Sequence, residues 1–204
     1  MTNIKMVVFD FYGTLAYLTN ETKSYARLFT ILGLQTLEEL RQARIIALTE
    51  DFDDLSDLAK RIKPDLLINT CSYQQEVDKE ISSAVLYEET IKILSQLKDR
   101  QLRLGLISNL ASPYKRPFFE LGLDVYFDEV IFSCEVGLKK PDQEIYQLMV
   151  ERVGINPAQM LMIGDSAQAD VVGPKSAGLN AVLLDRTNSA FTGISNLEGI
   201  FQFL

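Results

Sequence analysis

Apolar and polar positions give the two halves of the chain different rhythms. Val7, Val8 and Phe9 form an unbroken β-favouring run that ends at Asp10, and Gly13 breaks the pattern soon after. A short apolar run closed by a glycine turn predicts a buried strand. From about Glu21 to Leu86 no strand pattern occurs, and the spacing is helical instead. Tyr25, Leu28, Phe29 and Leu32 share one face of a helix predicted over 21–32, and Thr36 with Glu39 forms a capping-box pair opening a helix to Thr49. Further helices are predicted over Leu55–Ile62 and Tyr73–Leu86, separated by Pro64.

The second half alternates. Helices are expected over 89–100 (Ile91, Leu94 and Leu97 inward), 113–121, 141–153 (Pro141 in its first turn) and from Asp165 to about Ala177. Strands are expected over 103–107, 130–132, 160–163 and 181–184, and the tail 196–204 reads as a packed terminal helix. Strand–helix alternation means a parallel sheet with crossover connections. The predicted fold class is α/β: a doubly wound parallel sheet carrying an inserted α-helical cap subdomain. The expected boundaries are 1–16 and 88–204 for the core and 17–87 for the cap.

Composition narrows the chemistry. The 204 residues suffice for one large domain or one domain with an insert, and 47% hydrophobic against 24% charged residues fits an ordinary globular core. The net charge of −8 argues against a nucleic-acid partner, which calls for a basic surface. No apolar run approaches a membrane span and no signal peptide is visible, so the expectation is a soluble cytoplasmic protein with no membrane partner. Cys71 and Cys134 lack metal-ligand spacing, and the chain has no histidine. Histidine-based triads and histidine metal ligands are thereby excluded.

Polar residues stand at three strand ends: Asp10, Ser108-Asn109 and Gly164-Asp165. In an open parallel sheet these ends lie side by side at the carboxyl edge, where ligands bind. Lys140 and Asp170 lie on connections leaving that edge. Taken singly, a strand-end Asp reads as a helix cap, Ser108-Asn109 as a turn and Lys140 as a solvated lysine. Taken together, in order and at matching strand ends, they read as one site. Clustered carboxylates raise each other's pKa unless a hard cation relieves them, and Mg²⁺ prefers oxygen ligands and phosphate. Asp10, Asp165 and Asp170 therefore read as a Mg²⁺ site. Lys140 and Ser108 would each contact a phosphate oxygen, and Asp10 would attack phosphorus.

These residues resemble the haloacid dehalogenase (HAD) superfamily of hydrolases. Asp10-Phe11-Tyr12-Gly13-Thr14-Leu15 is similar to its first motif, Leu106-Ile107-Ser108-Asn109 to its second, Lys140-Pro141 to its third, and Gly164-Asp165 with Asp170 to its fourth. The resemblance runs from Ile4 to about Leu184. It implies a helical cap closing over the site, Asp10 as nucleophile, Asp165 and Asp170 as metal ligands, and the Tyr12 carbonyl as a further ligand. Thr14 and Ser108 would position the phosphoryl group of a small phosphorylated substrate.

One position departs from the pattern. Phosphatases of this family carry Asp where this chain has Tyr12, as the acid that protonates the leaving group. A phenol with a pKa near 10 is a poor replacement, and losing such a group typically costs about 10²–10⁴-fold in rate. Leaving groups that need no proton, such as acyl or aryl phosphates, would suit such a site. Tyr at this position is also similar to the metal-independent 2-haloacid dehalogenases, whose cap arginine could correspond to Arg41. A phosphate-binding scaffold is the non-enzymatic reading. Tyr12 can equally be an aromatic wall under the cap, and Arg41 a solvated surface residue.

Overall fold

The computed structural model describes residues 3–66, 69–187 and 193–204. Five parallel strands form the central sheet: β1 (Met6–Phe9), β4 (Arg103–Ser108), β5 (Glu129–Phe132), β6 (Met160–Gly164) and β7 (Asn180–Leu183). Their spatial order is β5-β4-β1-β6-β7, so the chain winds outward in both directions from β1. The switch in direction falls between β1 and β6, and ligands bind at such switches in open sheets.

Alternation along β1 sends its side chains to two cores. Val7 and Phe9 join Leu104, Leu106, Leu161 and Ile163, covered by α5 (Thr90–Asp99) and by Phe118 of α6 (Arg116–Glu120). Met6 and Val8 join Ile107, Met160 and Met162, covered by Ile145, Tyr146 and Met149 of α8 (Gln143–Val153). Both faces being covered explains why the strands read as continuous apolar runs.

A third core belongs to the helices between β1 and α5. These are α1 (Ser24–Ile31), α2 (Leu37–Thr49), α3 (Leu55–Ile62) and α4 (Cys71–Ile81), which bury Leu28, Ala43, Leu55, Leu58 and Val77 together. Thr36 and Glu39 close the capping box that starts α2, and Asp54 caps α3 by accepting from Asp57 N at 2.8 Å. The chain enters and leaves this region through an antiparallel ribbon, β2 (Ala16–Leu18) against β3 (Ala84–Leu86).

The ribbon corrects the sequence reading, which carries the fourth helix on to Leu86. The helix stops at Ile81, because pairing with β2 satisfies the backbone of residues 84–86 that a helix would otherwise use. Ile91 is exposed rather than inward: the buried Thr90 hydroxyl donates to the Leu15 carbonyl at 2.8 Å and sets the phase of α5 so that Ile93, Leu94 and Leu97 point in. Pro141 lies outside its helix, in a loop with a cis Lys140–Pro141 bond, and α8 begins at Gln143. Residues 113–121 split into a 3-10 turn (Ser112–Lys115) and α6, since Pro113 and Pro117 both lack an amide donor. The tail forms 3-10 turns over Leu197–Phe203, burying Leu197 and Ile200. Among the described residues no helix is long and apolar enough to cross a membrane.

The capping box has a pH signature. Backbone amides of Thr36 and Gln35 donate to the Glu39 carboxylate and hold its pKa down to about 2 from an ordinary 4.5. A folded-state pKa below the unfolded one contributes stability above pH 4.5 that is lost as pH falls towards 2. Glu39→Gln is therefore expected to flatten the acid limb of a stability–pH profile across that window, measured by urea unfolding, and to leave the slope near neutrality unchanged.

Candidate active site

Asp10 follows β1 directly, with its amide donating to the Ile163 carbonyl of β6 at 2.9 Å. The register sets Phe9, the last residue of β1, beside Leu106 of β4 and Ile163 of β6, which brings Asp10, Ser108 and Asp165 to one edge. Asp170 reaches the same point from a π-helical turn, Ala167–Val172, where the sequence pattern shows only a helix. Tyr146 of α8 anchors that turn by donating to the Ala169 carbonyl, and the Ser166 amide donates to Asp170 Oδ2 at 3.0 Å.

The carboxylates of Asp10, Asp165 and Asp170 offer oxygens within 4.8 Å of one another. Two glycines make room for them. A Cβ on Gly13, whose φ is +80°, would lie 2.1 Å from Asp165 Oδ2, and one on Gly164 would lie 2.3 Å from Asp170 Cγ. Lys140, almost wholly buried, places Nζ 2.8 Å from Asp10 Oδ1 and 2.6 Å from Asp170 Oδ1. Burial works against the ammonium charge, but the two carboxylates outweigh it and hold Lys140 above its ordinary pKa.

One cation does not relieve three carboxylates. Burial first, then the Asp10 charge acting against Lys140, pushes Asp170 up to about 6. Asp165 faces the open side of the site, yet partial desolvation and the Asp10 charge raise it too. Crowded hard oxygens with raised affinity for positive charge are a fitting donor set for a divalent cation of the Mg²⁺ type.

The remaining predicted site residues gather at the same edge in different capacities. Ser108 and Thr14 are buried, and among the described residues the Thr14 hydroxyl has no hydrogen-bond partner. Asn109 holds the Lys140 backbone from both sides, donating to its carbonyl at 2.7 Å and accepting from its amide at 2.8 Å. Asp142 and Glu135 turn away, pairing with Lys139 and Lys115. Tyr12 packs edge-on against Tyr114 and donates to the Tyr114 carbonyl at 3.2 Å. Burial, and after it the Glu80 carboxylate, pushes the Tyr12 phenol well above its usual range.

Sequence reasoning gives no site role to Arg186, which braces the first motif. Its guanidinium donates to the carbonyls of Thr14 (2.6 Å) and Gly13 (3.3 Å), pairs with Glu89 at 2.8 Å and lies 3.3 Å from the Tyr87 ring centroid. A lone arginine after the last strand carries no motif that could announce this.

A cavity of about 860 Å³ opens above the carboxylates, with Tyr12 and Asp165 on its floor and Tyr25, Phe29, Arg44 and Glu80 among its helical walls. A second, of about 290 Å³, lies beside Lys140 and is lined by Arg41, Arg44 and Lys139.

The haloacid dehalogenase-like hydrolase family matches residues 4–178. The chain belongs to that family. Glyceraldehyde 3-phosphate phosphatase of Methanothermobacter thermautotrophicus is 34% identical over 100 residues, 48% of this chain and 44% of that protein. The chain thus spans under half the length of the curated relatives it matches. A solved HAD phosphatase from Thermococcus onnurineus superposes with a TM-score of 0.69 at 26% identity, covering 98% of this chain and 97% of that one. A 2-haloacid dehalogenase from Pseudomonas syringae superposes almost as well, with a TM-score of 0.67 at 21% identity and coverage of 98% and 97%. The fold is therefore shared by proteins named for different reactions, and the chemistry must be argued from side chains.

Arg186→Ala would strip a charged donor from two loop carbonyls and leave Glu89 half-buried without its cation. A loss of roughly 1.5–3 kcal/mol is expected on urea unfolding, with Arg186→Lys intermediate because an ammonium cannot span the same fork. Unchanged stability in both variants would mean the loop is held by other contacts.

Proposed function

We propose that this chain is a Mg²⁺-dependent phosphohydrolase acting on a small phosphorylated metabolite through an aspartyl-phosphate on Asp10. The observation that carries the reading is the carboxylate cluster with Lys140 bridging Asp10 and Asp170. Bound by Asp10, Asp165, Asp170 and the Tyr12 carbonyl, the metal would supply charge neutralisation for an incoming phosphate. Lys140 engages Asp10 Oδ1, which leaves Oδ2 to attack phosphorus. The Asp10–phosphorus bond forms as the bond to the leaving oxygen breaks, and water then hydrolyses the acyl phosphate. Thr14, with its unpartnered hydroxyl, and Ser108 orient the phosphoryl group. Lys140 stabilises the charge spread over it in transit. Asn109 acts as a positioning residue through the Lys140 backbone. The helical region, residues 17–87, serves as a cap that shields the site and selects the substrate.

Tyr12 sets the limit of the chemistry. Its phenol is bound to a carbonyl and pushed up in pKa, so it is no acid near neutral pH. Substrates whose leaving group departs without a proton, acyl phosphates above all, suit the site best. The same residue supports a second reading, halide displacement by Asp10 as in a 2-haloacid dehalogenase, with Arg41 near the leaving halide. Asp165 weighs against it, since a metal-free reaction has no use for a third carboxylate in the cluster.

Purified protein supplied with acetyl phosphate, p-nitrophenyl phosphate and chloropropionate, each with Mg²⁺ and with EDTA, separates the readings. Phosphate release that stops in EDTA is expected, with acetyl phosphate the fastest. Chloride release indifferent to EDTA would replace phosphate chemistry by dehalogenation. Asp10→Asn should abolish turnover with the fold intact by circular dichroism. Asp165→Asn should remove the Mg²⁺ response, and would matter little to a dehalogenase.

A further inference from the structure

The large cavity holds a buried carboxylate that the chemistry above does not use. Glu80, at the end of α4, is 4% exposed and lines the cavity wall. Its Oε2 accepts from the hydroxyls of Thr22 and Ser24, the latter at 3.0 Å. Among the described residues no lysine or arginine forms an ion pair with it, although 15 ion pairs occur elsewhere. A buried carboxylate is ordinarily paired with a cation.

A second, independent feature shares that wall. The Tyr25 hydroxyl is buried, and Tyr25 lines the same cavity; among the described residues that hydroxyl has no hydrogen-bond partner. Tyr25 packs on Tyr114, and Tyr114 on Tyr12, with centroids 5.6 and 6.1 Å apart. The Tyr114 phenol, raised first by burial and then by the Glu80 charge, also hydrogen-bonds Glu80, so hydroxyls rather than a cation hold the carboxylate beside these rings. A carboxylate without a cation, an unsatisfied hydroxyl and tyrosine rings together favour a protonated amine, which donates hydrogen bonds and is drawn to aromatic faces.

We propose that the cap end of the cavity binds a protonated amine on the substrate, with Glu80 as its counter-ion and Tyr25 as a hydrogen-bond partner. The substrate class is then a phosphorylated small molecule whose leaving portion carries an ammonium group. This rests on the phosphohydrolase reading for the other end of the substrate. Joined to the argument from Tyr12, it favours acyl phosphates of amino acids over simple aminoalkyl esters.

Binding of phosphonates tests the assignment without requiring turnover. Calorimetry in Mg²⁺ would compare aminoethylphosphonate, the uncharged ethylphosphonate and the carboxylate-bearing phosphonoacetate. The amine is expected to bind at least about tenfold tighter than ethylphosphonate, the gain of one charge-assisted hydrogen bond. Glu80→Gln should shrink that ratio to less than about threefold. Tyr25→Phe, which removes only the hydroxyl, should reduce it in the same direction and carries the test if Glu80→Gln does not fold. Equal affinities in the wild type, or a ratio unchanged in both variants, would overturn the assignment. Preference for phosphonoacetate would also overturn it, and would point to Arg44 instead. Acetyl phosphate hydrolysis, assayed in parallel, separates the two failures: turnover without amine preference sinks only this proposal, while absent turnover and absent phosphonate binding sink the phosphohydrolase reading with it.

Discussion

Carboxylates cannot be crowded at the edge of a protein core without compensating positive charge, and the site is built around that constraint. Lys140 supplies a single charge, shared between Asp10 and Asp170. Its own place is fixed by Asn109 through two backbone hydrogen bonds, and the turn that presents Asp170 is fixed by Tyr146. Helix, loop and strand thus converge on one ammonium group. What that ammonium leaves uncompensated shows in the raised carboxyls of Asp165 and Asp170. The residual negative charge makes the cluster a fitting donor set for a divalent cation, the role that the proposed phosphohydrolase chemistry gives it.

The sheet brings the strand-end groups together, while Lys140 comes from a loop and Asp170 from the π-helical turn. Because the neighbouring strands β1, β4 and β6 end within two residues of one another, residues far apart in sequence reach the switch point together. The helical region completes the enclosure from the other side. Its three kinds of wall differ in character: aromatic at Tyr25 and Phe29, basic at Arg44, acidic at Glu80. A cavity with such contrast selects for charge distribution as well as for size.

Much of this was legible in the residues. Strands buried on both faces leave unbroken apolar runs, so β1, β4, β5, β6 and β7 stand out, and the polar residues that end three of them mark the ligand edge. The capping box at Thr36 carries its own local chemistry. Readings failed where long-range pairing overrides local preference. Ala84–Leu86 continues a helical pattern yet pairs with Ala16–Leu18, and Ile91 is turned outward by one hydrogen bond from Thr90 to a distant carbonyl. The π-helical turn under Asp170 and the brace from Arg186 leave no periodic trace, since each depends on partners more than 20 residues away. Glu80 escaped for the same reason: an acidic residue at a helix end looks solvated until Thr22 and Ser24 are seen to cover it.

The glycines beneath the carboxylates have a consequence for how this chain can change over generations. Asp165 occupies the space a side chain on Gly13 would need, and Asp170 the space one on Gly164 would need. Neither conflict is eased by a smaller replacement, because even alanine carries the offending carbon. Both positions are thus closed to neutral drift for as long as the carboxylates are retained. A lineage that lost Asp170 would release Gly164 from its steric constraint, whereas Gly13, at a φ of +80°, would still be held to glycine by its backbone. Correlated loss of Gly164 and Asp170 would therefore be the genetic footprint of a descendant that had dismantled the carboxylate cluster while keeping the fold.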